Sequence, residues 1–142
     1  MLGVYGSYFA QAKEALAKIN EIRKEACEAG NIRDPRNSGR YLQPSDYVPL
    51  KWSSDLEYIA RIRAAEAGIA FRFMESGHDR LNEKGTFSIG SNGITSSSED
   101  LAYYYVKDML EGVLLWYSEK QYWVKQDFSE ETRHYTSMIN PK

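Results

Sequence analysis

The chain has 142 residues, of which 42% are hydrophobic and 27% are charged, and its formal net charge is −2. This length predicts one domain, residues 1–142, with its own hydrophobic core. The near-neutral charge gives no long-range attraction for a nucleic acid or an anionic membrane, and no apolar run reaches the roughly 20 residues that span a bilayer. Cys27 is the only cysteine, which excludes an intrachain disulfide and a cysteine-rich metal site.

Two helices are predicted in the first half of the chain. Apolar residues recur at three- and four-residue steps from Phe9 to Ala26, and Gly30 supplies a left-handed stop. Turn-forming residues then predict a long surface loop over residues 31–49. A second helix is expected to begin at Ser54, whose hydroxyl would form a capping box with Glu57. The face of this second helix is formed by Leu56, Ile59, Ala60, Arg63, Ala64, Ala67 and Phe71.

The second half of the chain begins with a long irregular segment and ends with a predicted strand. Residues 75–98 are rich in glycine and serine, and loops of that length are usually functional or mobile. Residues 103–105 fit a short strand or the start of a helix equally well. From Val106 a strong apolar stripe predicts a helix that brings Trp116 and Glu119 to one side. After a polar segment, the alternation from His134 to Ile139 predicts a strand.

Two histidines and two glutamates are the candidates for a functional site. His78 and His134 are the only histidines, and imidazole suits both proton transfer and zinc ligation. Neither belongs to a local chelating motif, so hydrogen-bonded surface histidines remain the alternative. Glu99 and Glu119 could act as acid–base groups, or they could cap a helix and lie in solvent. The residue pattern alone therefore does not decide whether the protein is an enzyme, and it assigns no residue to an organic cofactor.

Five short motifs follow one another along the chain in an informative order. They are residues 19–23 (INEIR), 49–53 (PLKWS), 99–102 (EDLA), 116–119 (WYSE, followed by Tyr122) and 134–139 (HYTSMI). This series resembles the CAP superfamily, which comprises the SCP-like or cysteine-rich secretory, antigen 5 and pathogenesis-related proteins. The resemblance covers the chain from about residue 10 to its end.

The resemblance implies an α+β fold, namely a three-layer α-β-α sandwich with a small, mainly antiparallel sheet. It also implies one cleft that contains His78, Glu99, Glu119 and His134. There the two histidines would hold Zn²⁺ or another divalent cation, with the two glutamates beside it.

Three functions follow from the resemblance as expectations. The first is an extracellular binding or interaction module with an unidentified protein or surface partner. The second is a metal-dependent, peptidase-like hydrolase in which Glu99 or Glu119 is the base. The third is sterol or lipid binding in an aromatic groove near Tyr103, Tyr104 and Tyr105.

The sequence departs from the family pattern in several places. The family's usual disulfides are absent, which resembles a bacterial member, and Asp100 replaces the usual asparagine. Family members normally continue through one or two further strands, so we expect a sheet that either is truncated after the His134 strand or is completed in another way, for example by a partner chain. Residues 1–5 do not resemble a signal peptide, and the extracellular location is therefore an expectation that rests on the resemblance alone.

Overall fold

The computed structural model describes residues 11–75, 77–103 and 106–141. Phe9, which the sequence pattern assigned to the first helix, and Tyr104 and Tyr105 of the predicted aromatic groove lie outside the described residues. In chain order, the elements are α1 (Ala12–Glu28), β1 (Arg33–Asp34), β2 (Asn37–Tyr41), a 3₁₀ helix (Pro44–Asp46), α2 (Ser54–Arg72), β3 (Gly90–Ser91), β4 (Ile94–Thr95), α3 (Met109–Tyr117), α4 (Lys120–Lys125) and α5 (Arg133–Ile139).

These elements belong to two compact units. The α2 unit contains the described residues from Trp52 to Tyr103, with α2 and the antiparallel pair β3–β4. The α1 unit contains the remaining described residues, with α1, α3, α4, α5 and the antiparallel pair β1–β2. Helices together with small antiparallel sheets confirm the predicted α+β class. The predicted three layers involve elements of both units and stay a prediction.

Helix α1 forms the centre of the α1 unit because its apolar residues lie on one face. Ala15, Ile22 and Ala26 are buried on that face, which packs against α3 and α5. The helix ends where the sequence predicted, since Gly30 adopts a positive φ of 72°. The buried cluster around this face consists of Ala15, Ile22, Ala26, Cys27, Ile32, Leu42, Val113, Trp123, Tyr135, Met138 and Ile139.

Buried Arg23 joins three segments of the α1 unit. Its guanidinium donates to the backbone oxygens of Val48 (2.9 Å), Met138 (2.6 Å) and Asn140 (2.7 Å). The last two carbonyls lie at the C-terminal end of α5. Arg23 therefore fixes the position of the helix that carries His134.

Helix α2 begins at Ser54, as predicted, but its cap differs from the prediction. The N-cap is Ser53, whose Oγ accepts from the backbone N–H of Leu56 at 3.3 Å. The predicted capping box at Ser54 is wrong, because the Glu57 carboxylate accepts from Trp52 Nε1 instead (2.8 Å). The buried face contains Ile59, Arg63, Ala67 and Ala70.

The strand predicted from His134 to Ile139 is wrong, because these residues belong to helix α5. Tyr135, Met138 and Ile139 are its buried residues. Their spacing of three and four residues is that of one helical face, and burying all three against α1 and α3 favours the helix over a strand. The predicted truncation of a sheet after a His134 strand therefore does not describe this segment.

Two further predictions are corrected in part. The predicted loop at residues 31–49 contains the β1–β2 hairpin and the 3₁₀ helix. The helix predicted from Val106 through Glu119 starts at Met109 and is interrupted between Tyr117 and Lys120. None of the described helices combines the length and the apolar composition needed to cross a membrane.

Candidate functional site

In the α2 unit, His78 and Glu99 form one hydrogen-bonded pair. His78 Nδ1 lies 3.1 Å from Glu99 Oε1. The Glu99 side chain is 9% exposed, whereas the His78 side chain is 51% exposed. Because an ionised carboxylate only accepts hydrogen bonds, Nδ1 carries the proton and Nε2 is the nitrogen suited to a metal.

The buried guanidinium of Arg63 holds this pair in place through hydrogen bonds. It binds Glu99 through two parallel bonds, Nε to Oε2 at 2.7 Å and Nη2 to Oε1 at 3.0 Å. It also donates to the backbone oxygens on either side of His78, those of Gly77 (2.7 Å) and Asp79 (3.3 Å). One side chain thus fixes both the carboxylate that contacts His78 and the backbone that carries it.

A second carboxylate and a second arginine keep Arg63 in place. Glu66 accepts from Arg63 Nη1 at 2.5 Å and from Arg80 Nε at 2.7 Å. Burial by itself raises the pKa of Glu66, but the hydrogen bonds from Arg80 and Arg63 outweigh it and lower the pKa below its ordinary value. The pKa of Arg63 is raised, chiefly by its hydrogen bonds to Glu99. Glu66 and Arg63 are therefore both charged at neutral pH.

In the α1 unit, Glu119 and His134 form the second pair. His134 Nδ1 lies 2.6 Å from Glu119 Oε1, and Glu119 Oε2 accepts the backbone N–H of Tyr135 at 3.1 Å. Glu119 lies at the interruption between α3 and α4, and His134 lies in the first turn of α5. The Trp116 ring is nearly parallel to the imidazole, with 6.1 Å between the ring centres. The imidazole is thus oriented by a carboxylate on its Nδ1 side and by an aromatic ring beside it.

Glu131 adds a third possible metal ligand beside this second pair. Ligand atoms of Glu119, Glu131 and His134 all lie within 4.8 Å of one another. The side chain and backbone of Arg133 donate hydrogen bonds to Glu131 and lower its pKa to about 2. Glu131 is therefore an anion at neutral pH, and the three residues could hold a divalent cation.

The structure brings the four predicted site residues together as two pairs, His78 with Glu99 and Glu119 with His134. Their union in a single cleft stays a prediction. Tyr103, the described member of the predicted aromatic groove, stacks on Phe71 with 3.6 Å between ring centres.

Sequence reasoning missed two residues, Arg63 and Glu131. Arg63 had a visible signal, since a charged residue on a face rich in alanine needs a buried partner. Glu131 had none, because it lies in the polar segment before His134, to which the sequence pattern assigned no secondary structure and no side-chain direction.

A comparison with protein-family models places these features in a known class. The model described as "CAP: Cysteine-rich secretory protein family" matches residues 16–142. The chain therefore belongs to the CAP family, as the order of its motifs indicated. Searches of curated proteins and of solved structures return no match for this chain.

Proposed function

We propose that this protein is an extracellular CAP domain that acts as an interaction module and holds a divalent metal ion between His78 and His134. Residues 1–142 would form one such domain, since the family match runs through both units. The single, buried Cys27 supports a disulfide-free, bacterial type of member. The partner would be a protein or a surface component outside the cell.

The observation that carries the metal proposal is the same at both histidines. Each imidazole has its Nδ1 bonded to a glutamate whose side chain is at most 13% exposed. Metal-binding histidines almost always donate their second ring N–H to a carboxylate or a carbonyl in this way, which fixes the ring and directs the other nitrogen to the metal. Imidazole nitrogens with nearby carboxylates suit Zn²⁺, so the donor set fits the ion.

The hydrogen bonds that the two glutamates already make favour metal binding over hydrolysis. Both oxygens of Glu99 are bonded to Arg63, and one also contacts His78. Both oxygens of Glu119 accept as well, from His134 and from the Tyr135 backbone. A general base must reach the proton that it removes, whereas these carboxylates are occupied in orienting the histidines. These hydrogen bonds therefore support the proposal of a binding module over the alternative of a metal-dependent hydrolase.

Calorimetric titration of metal-stripped protein with Zn²⁺ tests this proposal. We expect one Zn²⁺ per chain, bound more tightly than Mg²⁺ or Ca²⁺ because those ions prefer oxygen ligands. His78→Ala and His134→Ala should each weaken binding strongly. Circular dichroism spectra of the variants control for folding.

Two outcomes would contradict the proposal. Zn²⁺ could fail to bind to folded wild-type protein, which would leave the pairs as metal-free polar clusters. Alternatively, one histidine variant could bind as tightly as wild type, which would remove that histidine from the ligand set. Separately, turnover of a peptide or ester that disappears in Glu119→Ala would favour the hydrolase.

A further inference from the structure

We propose that Arg63 is the positioning residue that holds His78 in its metal-binding orientation. The inference deepens the proposed function and rests on it, because it concerns one of the two proposed ligands. Arg63 itself is 2% exposed and bonds to Glu99 and to the backbone beside the histidine. Its role would be to fix His78 through other groups.

Three contacts of one guanidinium restrain His78 at separate points. The paired bonds to Glu99 fix the plane of the carboxylate, and that carboxylate accepts from Nδ1 of His78. The bonds to the carbonyls of Gly77 and Asp79 fix the peptide group that precedes the histidine and the one that follows Asp79. The ring therefore has a set direction although its side chain is half exposed.

The arrangement requires arginine in particular. A guanidinium offers five N–H donors in a rigid planar fork, which matches a carboxylate with two parallel bonds and leaves donors for carbonyls. An ammonium group keeps the charge, but it acts as a point charge and cannot make the paired geometry. Arg63→Lys therefore keeps a cation beside Glu99 while it removes the fork that orients His78.

The segment that carries His78 is also restrained by its neighbours, so the bonds from Arg63 act on a backbone that is already held on both sides. Gly77 is buried, and a Cβ atom at this position would collide with the Phe71 ring and contact Leu101. After His78, the Arg80 guanidinium binds Glu66, which is also the second anchor of Arg63. The segment is thus fixed on both sides around the carbonyls that Arg63 binds.

The test compares Arg63→Lys with Arg61→Lys, a control on the exposed side of the same helix whose guanidinium pairs with Glu57. The first readout is the tautomer of His78 in metal-free protein, measured by long-range ¹H–¹⁵N NMR in alkaline buffer. Wild type and the control should show the Nδ1–H form, whereas Arg63→Lys should show both forms. The second readout is Zn²⁺ affinity, which should fall about 10–100-fold in Arg63→Lys, the range seen when the outer partner of a metal ligand is lost.

The outcomes separate this inference from the proposed function. Folded Arg63→Lys with an unchanged tautomer and unchanged Zn²⁺ affinity would overturn the inference, because Arg63 would then be a structural ion pair only. If wild type binds no Zn²⁺, the proposed function fails, and the tautomer alone decides whether Arg63 orients His78.

Wild-type spectra provide a second test in case Arg63→Lys does not fold. The guanidinium should give separate, slowly exchanging Nη signals, because its hydrogen bonds hinder rotation. A single averaged Nη signal would overturn the inference.

Discussion

The substitution Asp34→Asn tests how the hairpin of the α1 unit is held together. Asp34 is 1% exposed and lies in the chain two residues after Ile32, which belongs to the buried core. Its carboxylate accepts four hydrogen bonds, three from Arg36 (backbone N 2.9 Å, Nε 3.1 Å, Nη2 2.9 Å) and one from Arg40 Nε (2.8 Å). The side chain of Arg36, followed by other donors, holds the pKa of this carboxyl well below its ordinary value, against the opposing effect of burial.

The magnitude follows from the bonds that an asparagine cannot make. Its amide group would turn an NH₂ toward at least one guanidinium, so about two charge-assisted bonds are lost, each contributing about 1.5–3 kcal/mol. The side chains of Arg36 and Arg40 are 35% and 40% exposed, so water can replace part of the lost hydrogen bonding, which offsets part of the lost free energy. We expect the free energy of unfolding to fall by about 2–3 kcal/mol at neutral pH.

The pH dependence has a definite sign. Because the folded pKa is lowered, the carboxylate stabilises the fold above its unfolded pKa of about 4, and this contribution is lost as the pH falls toward the folded pKa. At about pH 3 the difference between wild type and Asp34→Asn should therefore be about 1 kcal/mol smaller than at pH 7.

Urea unfolding at both pH values, followed by circular dichroism, measures this difference. Glu130→Gln, which removes an exposed carboxylate of the same unit, is the control and should change little. A loss below about 0.5 kcal/mol at pH 7, the usual size of a surface effect, would refute the reasoning. So would a loss that is the same at both pH values.

Three further predictions concern the segments that carry the site. Arg23→Met should lower the free energy of unfolding by about 3 kcal/mol in urea, since it leaves three backbone carbonyls without their donor, while the exposed neighbour Lys24→Met should not. Gly77→Ala should destabilise by about 1–3 kcal/mol in the same assay because its Cβ meets Phe71, whereas Gly68→Ala, with open space in α2, should stabilise by about 0.5–1 kcal/mol. Glu131→Gln should weaken Zn²⁺ binding about tenfold by calorimetry, and the control Glu130→Gln should not; equal affinities would exclude Glu131 as a ligand.

The helical part of the fold was predictable because its apolar spacing is regular. The buried face of α1 and its stop at Gly30 were read from a three- and four-residue period and from one glycine. The segment from His134 to Ile139 was misread because six residues are too few to separate a period of two from one of 3.6. Packing against α1 and α3 favours a helix in that segment, and such long-range contacts cannot be inferred from the local sequence.

The sequence predicted which residues belong to the candidate site, but not how they pair with one another. The motifs named Glu99, Glu119 and His134, the family resemblance added His78, and the structure shows which histidine contacts which glutamate. Arg63, which lies 36 residues before Glu99 in the chain, reaches it only because the loop after α2 folds back on the helix. A hydrogen bond over such a separation depends on the path of the chain, which composition and spacing do not encode.

Zinc-edge X-ray absorption of the stoichiometric Zn²⁺ complex tests the central claim most directly, because it counts the imidazole ligands. We predict two imidazoles on one Zn²⁺ in the wild-type protein, and one imidazole in either His78→Ala or His134→Ala when Zn²⁺ is added in excess. A wild-type complex with a single imidazole, or with none, would contradict the claim that His78 and His134 hold one metal ion together.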